Sequence, residues 1–217
     1  MTPMHKTIVF DLDGTLVDSL PDIIASFQYS LMSLGLPVPT DTEVRVLIGH
    51  PLEEMFEHFA PGQDVTRLCS IYREHYPRNF VNRSRPFPGV LELLRTLRER
   101  GYKLAIATTK RTDMARRFVE ALGMMPMVDH VQGTDGFPHK PAPDVIHRAL
   151  GALGGAKGLW MVGDTTADMQ AGRAAGLRTY GVTWGNHDAA LLATATPDEI
   201  QPDLGQLLQH LPPLPRA

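Results

Sequence analysis

Cysteine is nearly absent. Cys69 stands alone in 217 residues, which excludes an internal disulfide and suits a reducing compartment. No apolar run approaches the roughly 20 residues that a membrane-spanning helix needs. Ile8, Val9 and Phe10, the apolar residues ahead of Asp11, are too few for the core of a secretory signal. A dominant charge is missing as well: 21 Lys and Arg against 24 Asp and Glu leave a net charge of −3. With no basic block, nothing offers an electrostatic footprint for nucleic acid. His58, His75, His130, His139 and His147 lack metal-ligand spacing, which argues against zinc. These absences predict a cytoplasmic protein that binds neither nucleic acid nor membrane. What is present is ordinary for a globular chain: 43% hydrophobic and 21% charged residues, enough for a large core without staples.

The run Thr7 to Phe10 is apolar without alternation, as expected of a strand buried on both faces. From Ser19 to about Tyr76 the pattern is helical. Pro21 suits a first helical turn, and Ile23, Ile24, Phe27, Leu31 and Leu34 share a face closed by Gly35. Thr40 and Glu43 have capping-box spacing for a second helix that stops at Gly49. Pro51 opens a third, and Val65, Leu68, Tyr72 and Tyr76 mark a fourth, expected to end at Pro77. Beyond Pro86 helices and strands alternate: helices over 90–100, 113–122, 143–153 and 167–175, strands over 103–107, 128–132, 159–162 and 179–182. A last helix is expected over 204–211, followed by a loose Pro-rich end. Strand–helix alternation predicts an α/β fold, a Rossmann-like parallel sheet with helices on both faces. Residues 1–18 and 86–217 would form this core and 19–85 an inserted α-helical cap.

Ligands of open parallel sheets sit at the carboxyl ends of the strands. Asp11 and Asp13 follow the first strand, Thr108 the second, and Asp164 and Asp168 the strand at 159–162, while Lys140 precedes a helix. Separate segments therefore deliver carboxylates, a hydroxyl and an ammonium to one edge. Gathered carboxylates repel one another unless a cation sits among them, and hard oxygen donors suit Mg²⁺. A pocket with Mg²⁺, Lys and a hydroxyl is built to hold a phosphoryl group. A carboxylate there can attack phosphorus, and a second can move the proton of the leaving group.

The segment from Asp11 to Ser19, Asp-Leu-Asp-Gly-Thr-Leu-Val-Asp-Ser, resembles the first motif of the haloacid dehalogenase superfamily. Thr108 resembles the second motif, Lys140 in Lys-Pro-Ala-Pro-Asp the third, and Gly163-Asp164 with Asp168 the fourth, in family order. The nearest likeness is to the branch of phosphoglycolate phosphatases with a small helical cap. The resemblance implies that Asp11 is the nucleophile and Asp13 the general acid/base. It also implies that Asp11, the Asp13 carbonyl and Asp164 hold Mg²⁺ with support from Asp168, and that Thr108 and Lys140 bind the phosphoryl group. Dehalogenases differ at the second Asp, so a phosphatase is expected, acting on a small phosphorylated metabolite with 2-phosphoglycolate foremost. A phosphomutase, a pyrophosphatase and a non-enzymatic aspartyl-phosphate switch are the alternatives. One departure stands out: Thr109 occupies a position where many relatives have Asn, so its amide N–H remains for phosphate but the side-chain amide is lost.

In the cap, His50 is a candidate for contacting substrate, and Arg45, Arg83 and Arg85 are solvated charges or carboxylate binders. Cys69 is expected to be buried, and Tyr72 and Tyr76 to pack within the cap. No organic cofactor is implied, and the pattern is compatible with a monomer or a homodimer.

Overall fold

The computed structural model describes residues 5–48 and 50–215. The chain forms two compact units, one running to Asp18 and resuming at Pro86, the other Ser19–Arg85. Among the described residues no helix is long and apolar enough to cross a membrane.

In the first unit, β1 (Lys6–Phe10) leads through a tight turn to the short β2 (Val17–Asp18). The second unit then holds α1 (Leu20–Ser33), α2 (Asp41–Leu47), α3 (Leu52–Phe59) and α4 (Val65–Asn79). The chain returns through β3 (Arg85–Pro86), and the Phe87 amide donates to the Leu16 carbonyl at 3.0 Å. There follow α5 (Val90–Glu99), β4 (Lys103–Ala107), α6 (Thr112–Ala121), β5 (His130–Gln132) and α7 (Asp144–Ala152). Last come β6 (Lys157–Gly163), α8 (Thr166–Ala174), β7 (Arg178–Val182), α9 (Ala189–Ala193) and β8 (Glu199–Gln201).

Six parallel strands form one sheet in the order β5-β4-β1-β6-β7-β8. Successive strands build outward from β1 on one side and then, from β6, on the other. Chain direction across the sheet therefore reverses between β1 and β6, where α/β sheets leave a crevice for ligands. Val9, Ala105, Ala107 and Met161 bury one face of the sheet with Val145, Ile146, Ala149 and Ala171 of α7 and α8. The continuous apolar strands follow from burial on both faces, since Ile8, Val9 and Phe10 are all inaccessible.

The helical unit has its own core of Ile24, Phe27, Leu31, Val44, Phe56, Leu68 and Cys69. Phe27 and Phe56 stack with centroids 4.3 Å apart, and burying a side chain of this size contributes about 1.5–3 kcal/mol. Thr40 and Glu43 form the expected capping box, while the stop expected at Gly49 lies outside the described residues. Asp22, buried at the start of α1, accepts hydrogen bonds from the Arg83 and Ser84 amides and the Ser84 hydroxyl. Tyr72 and Tyr76 stack within the unit, and Cys69 is 1% exposed.

Four expectations are corrected. Helix α4 passes through Pro77 to Asn79, the packing of its Leu68, Cys69 and Tyr72 outweighing the backbone hydrogen bond that the proline removes. The strand expected from Val128 begins at His130, since Met125–Met127 form a 3₁₀ turn capped by Val128. The expected last helix is a 3₁₀ segment, Gly205–Gln209. The following end is tied down as far as Leu214. Leu214 donates its amide to the Arg100 carbonyl at 2.8 Å, the Arg100 guanidinium donates to the carbonyls of Leu208 and Leu211, and the Tyr102 hydroxyl donates to that of Pro212.

Candidate active site

Asp11 is the first residue beyond β1, and its amide donates to the Val162 carbonyl of β6 at 2.8 Å. Asp164 is the first residue beyond β6. The crevice between these strands thus receives two carboxylates from the backbone path alone. Lys140 reaches them from the loop before α7, after which the Lys140–Pro141 peptide is cis. Its Nζ lies 2.5 Å from Asp11 Oδ1, 2.5 Å from Asp168 Oδ1 and 3.1 Å from the Ala107 carbonyl. The three donors of the ammonium are therefore all engaged, and the side chain is 3% exposed.

Asp168 occupies the first turn of α8 and closes a capping box with Thr165. Its Oδ2 accepts from the Thr165 amide at 3.0 Å and hydroxyl at 2.6 Å. Both carboxylate oxygens are committed, one to the helix start and one to Lys140. Asp168 is at once a helix cap and a buried counter-ion.

Asp164 is held differently. Oδ1 accepts from the Thr15 hydroxyl at 2.8 Å and Oδ2 from the Asn186 amide at 2.7 Å. Gly14, with φ +85°, and Gly185 pass so close that a Cβ on either would lie 2.3 or 2.2 Å from Asp164 Oδ2. Side chains at these two positions would take the space the carboxylate fills. Trp184 Nε1 donates to the Thr15 carbonyl at 3.2 Å and ties the two glycine-bearing loops together.

Carboxylate oxygens of Asp11, Asp164 and Asp168 lie within 4.8 Å of one another, all three side chains being buried. Burial pushes the Asp11 carboxyl well above the usual range. Lys140 opposes that shift, and the charges of Asp168 and Asp164 reinforce it. Asp164 is pushed up to about 7 by burial and then by Asp168, against the hydrogen bonds from Asn186 and Thr15. Burial would lower Lys140, but the carboxylates of Asp11 and Asp168 outweigh it and hold the ammonium above its ordinary value. Three carboxylates around one ammonium form a site short of positive charge. This donor set of hard oxygens fits a divalent cation.

Asp13 lies on the turn to β2, its side chain 18% exposed, with Oδ2 3.2 Å from Lys110 Nζ. Thr108 follows β4 and is buried, its backbone amide donating to the Gln132 carbonyl at 3.0 Å and its hydroxyl oxygen accepting from the Lys110 amide at 3.2 Å. Thr109 is exposed beside it. The structure thus brings Asp11, Lys140, Asp164 and Asp168 into direct or near contact. It also joins Asp13 and Thr108 through Lys110. His50 belongs to the helical unit, is exposed, and has Nδ1 3.6 Å from Glu54 Oε2. Arg83 and Arg85 donate to backbone carbonyls of Pro21, Val81, Asn82 and Ser84, which gives both guanidinium groups a structural use. Thr15, Lys110 and Asn186 are the residues that sequence reasoning missed. Thr15 and Lys110 stand inside motifs already singled out, whereas Asn186 acts through its backbone and leaves no compositional trace.

Residues 8–182 match the model of the haloacid dehalogenase-like hydrolase family. A probable phosphatase, IndB, of Dickeya dadantii is 38% identical over 206 residues, covering 91% of this chain and 89% of that protein. A phosphoglycolate phosphatase of Mesorhizobium japonicum is 35% identical over 190 residues, covering 83% and 84%. The solved structure of a haloacid dehalogenase-like hydrolase from Streptococcus pneumoniae superposes with a TM-score of 0.86 at 33% identity, covering 97% of this chain and 99% of that one. Family model, relatives and fold agree with the geometry around Asp11, and the chain belongs to the haloacid dehalogenase-like hydrolases.

Proposed function

We propose that this hydrolase is a Mg²⁺-dependent phosphatase that cleaves a small phosphate monoester through an aspartyl phosphate on Asp11. The observation that carries this reading is the buried contact of Asp11 with Lys140 at 2.5 Å, beside Asp164 and Asp168, at the carboxyl end of β1. Asp11 and Asp164 with the Asp13 carbonyl would hold the cation, and Asp168 would brace Lys140. When bound, Mg²⁺ supplies the positive charge that keeps these carboxylates ionised and offsets the phosphoryl oxygens.

Asp11 attacks phosphorus in line with its carboxylate oxygen. Lys140 fixes Oδ1 of that carboxylate and balances charge as phosphorus approaches, and the Thr108 hydroxyl and Thr109 amide take phosphoryl oxygens. Asp13 gives its proton to the leaving alcohol as the P–O bond breaks, then accepts a proton from the water that cleaves the aspartyl phosphate. Substrate choice is assigned to residues 19–85, since the core residues serve the chemistry common to any monoester. The relatives named phosphoglycolate phosphatase support 2-phosphoglycolate as the first compound to try. The lone Cys69 and the small metabolite substrate fit a cytoplasmic setting.

The test is phosphate release from a metabolite panel containing 2-phosphoglycolate and pyrophosphate, with Mg²⁺ or EDTA, for the wild type and Asp11→Asn. One compound should turn over far faster than the others, and EDTA or the substitution should abolish release. Formation of an isomeric phosphate without release of inorganic phosphate would overturn hydrolysis in favour of a mutase.

A further inference from the structure

Lys110 has no part in the mechanism above, yet it is built into the site with care. Its Nζ lies 3.2 Å from Asp13 Oδ2, and the two side chains are only 11% and 18% exposed. Behind it, the ammonium stands 5.2 Å from the ring centroid of Phe118, which is fully buried on α6. The backbone at Lys110 is pinned on both sides. Its amide donates to Thr108 Oγ1 at 3.2 Å, and its carbonyl accepts from the Thr134 amide at 3.0 Å. Gly133 packs so tightly here that a Cβ would sit 2.3 Å from the Lys110 carbonyl oxygen. The other carboxylate oxygen, Asp13 Oδ1, is buried and has no hydrogen-bond partner among the described residues.

From this asymmetry we infer that Lys110 is a positioning residue that holds Asp13 by Oδ2 and leaves Oδ1 as the oxygen that carries the proton. The inference rests on the assignment of Asp13 as general acid/base. The positive charge of the ammonium beside Oδ2 disfavours a proton on that oxygen, so the proton of the acid form resides on Oδ1. As Asp11 bonds to phosphorus and the P–O bond to the alcohol breaks, that proton passes to the alcohol oxygen and Asp13 is left as the carboxylate. When water attacks the aspartyl phosphate, its proton returns to Oδ1, the bond from Asp11 oxygen to phosphorus breaks, and inorganic phosphate departs. Lys110 keeps its own protons throughout. Without it the carboxyl would be free to rotate about χ2 and present either oxygen, and the alignment that proton transfer requires would be lost.

The experiment uses the Mg²⁺-loaded enzyme and monoesters graded by leaving-group pKa, from alkyl phosphates to p-nitrophenyl phosphate. The readout is kcat/KM, which reports only the steps through formation of the aspartyl phosphate. Lys110→Met should lower kcat/KM for alkyl esters about 100-fold, the lower end of what a general acid contributes, but that for p-nitrophenyl phosphate less than about 5-fold. The p-nitrophenolate leaves without a proton, so the contrast isolates acid catalysis from any loss of folded enzyme, which would lower both alike. Lys110→Arg, which retains a donor for Oδ2, should recover most of the alkyl activity. Equal losses on alkyl and aryl esters, or none on either, would overturn the inference. Asp13→Asn on the same series separates the two levels of argument: retained alkyl hydrolysis in that variant sinks the acid/base assignment itself. Alkyl-selective loss in Asp13→Asn, with Lys110→Met tracking the wild type, sinks the role of Lys110 alone.

Discussion

Replacing Lys140 with methionine keeps an unbranched stem of nearly the same length but removes the ammonium that Asp11 and Asp168 share. Each of those contacts is 2.5 Å long. At an effective dielectric constant near 20 each attraction is about 7 kcal/mol, most of it offset by the cost of taking the three ions out of water. The net cost of leaving buried charges without their partner is about 3–5 kcal/mol. For a chain of this size that corresponds to a fall in Tm of about 6–20 °C, measured by scanning calorimetry in EDTA at pH 7.5. The sign of the pH dependence follows from the carboxyls. Burial raises Asp164 to about 7, above its unfolded value, so its contribution is fully present below the ordinary carboxylate range and is lost as pH rises through about 7. Without Lys140, which lowers both Asp11 and Asp164, that loss steepens, so the deficit of the variant should shrink at pH 5.5 and also when Mg²⁺ replaces EDTA. A variant whose Tm in EDTA at pH 7.5 lies within about 2 °C of the wild type would refute the reasoning. So would a deficit that neither acid nor Mg²⁺ reduces.

Gly185→Ala would put a methyl group 2.2 Å from Asp164 Oδ2 and turn that carboxylate; Mg²⁺ affinity measured by titration calorimetry should fall about 10-fold or more, and an unchanged affinity would count against Asp164 as a ligand. Burial opposes ionisation of Asp129, but hydrogen bonds from Lys103 and the Leu104 amide, with the charges of Lys103 and Arg98, outweigh it and hold its carboxyl below the usual range. Its stabilising contribution is therefore present above the ordinary carboxylate range and lost as pH falls. Asp129→Asn should cost about 1–3 kcal/mol in urea unfolding at pH 7, with the gap closing toward pH 3, and a gap independent of pH would refute the assignment. Cys69 is 1% exposed, and burial pushes its thiol up to about 11, so it should resist a disulfide reagent at pH 8 until the protein is unfolded. Rapid reaction in the native state would show that the helical unit opens readily.

The carboxylates were legible because their chemistry and their position coincide. An unbroken apolar run such as Ile8 to Phe10, ended by an acidic turn with glycine, reads as a doubly buried strand, which puts the Asp that follows at its carboxyl end. The capping box at Thr40 was equally legible, since both of its halves are side chains at fixed spacing. Less visible were features made by the backbone. β8 has a single apolar residue, Ile200, and exists because β7 offers it an edge; α9 is five residues long and rests on the Asp188 cap and on one buried side chain, Leu192. Proline at 77 carries a local stop signal that packing of α4 overrides. The grip of Asn186 on Asp164 uses an amide that every residue but proline possesses, so no letter in the sequence marks it.

The hydrogen bond from the Phe87 amide to the Leu16 carbonyl brings the exit and the re-entry of the helical excursion together within the sheet-bearing unit itself. Closing a long loop costs little more than closing a short one, about 0.6 kcal/mol per doubling, once its ends are fixed by their own contacts. The segment between them is therefore free to lengthen, shrink or be exchanged while the sheet keeps its register and the carboxylates their spacing. In descent, such a chain can keep one of its two units while exchanging the other, with the seam between the two inheritances at the Leu16–Phe87 bond.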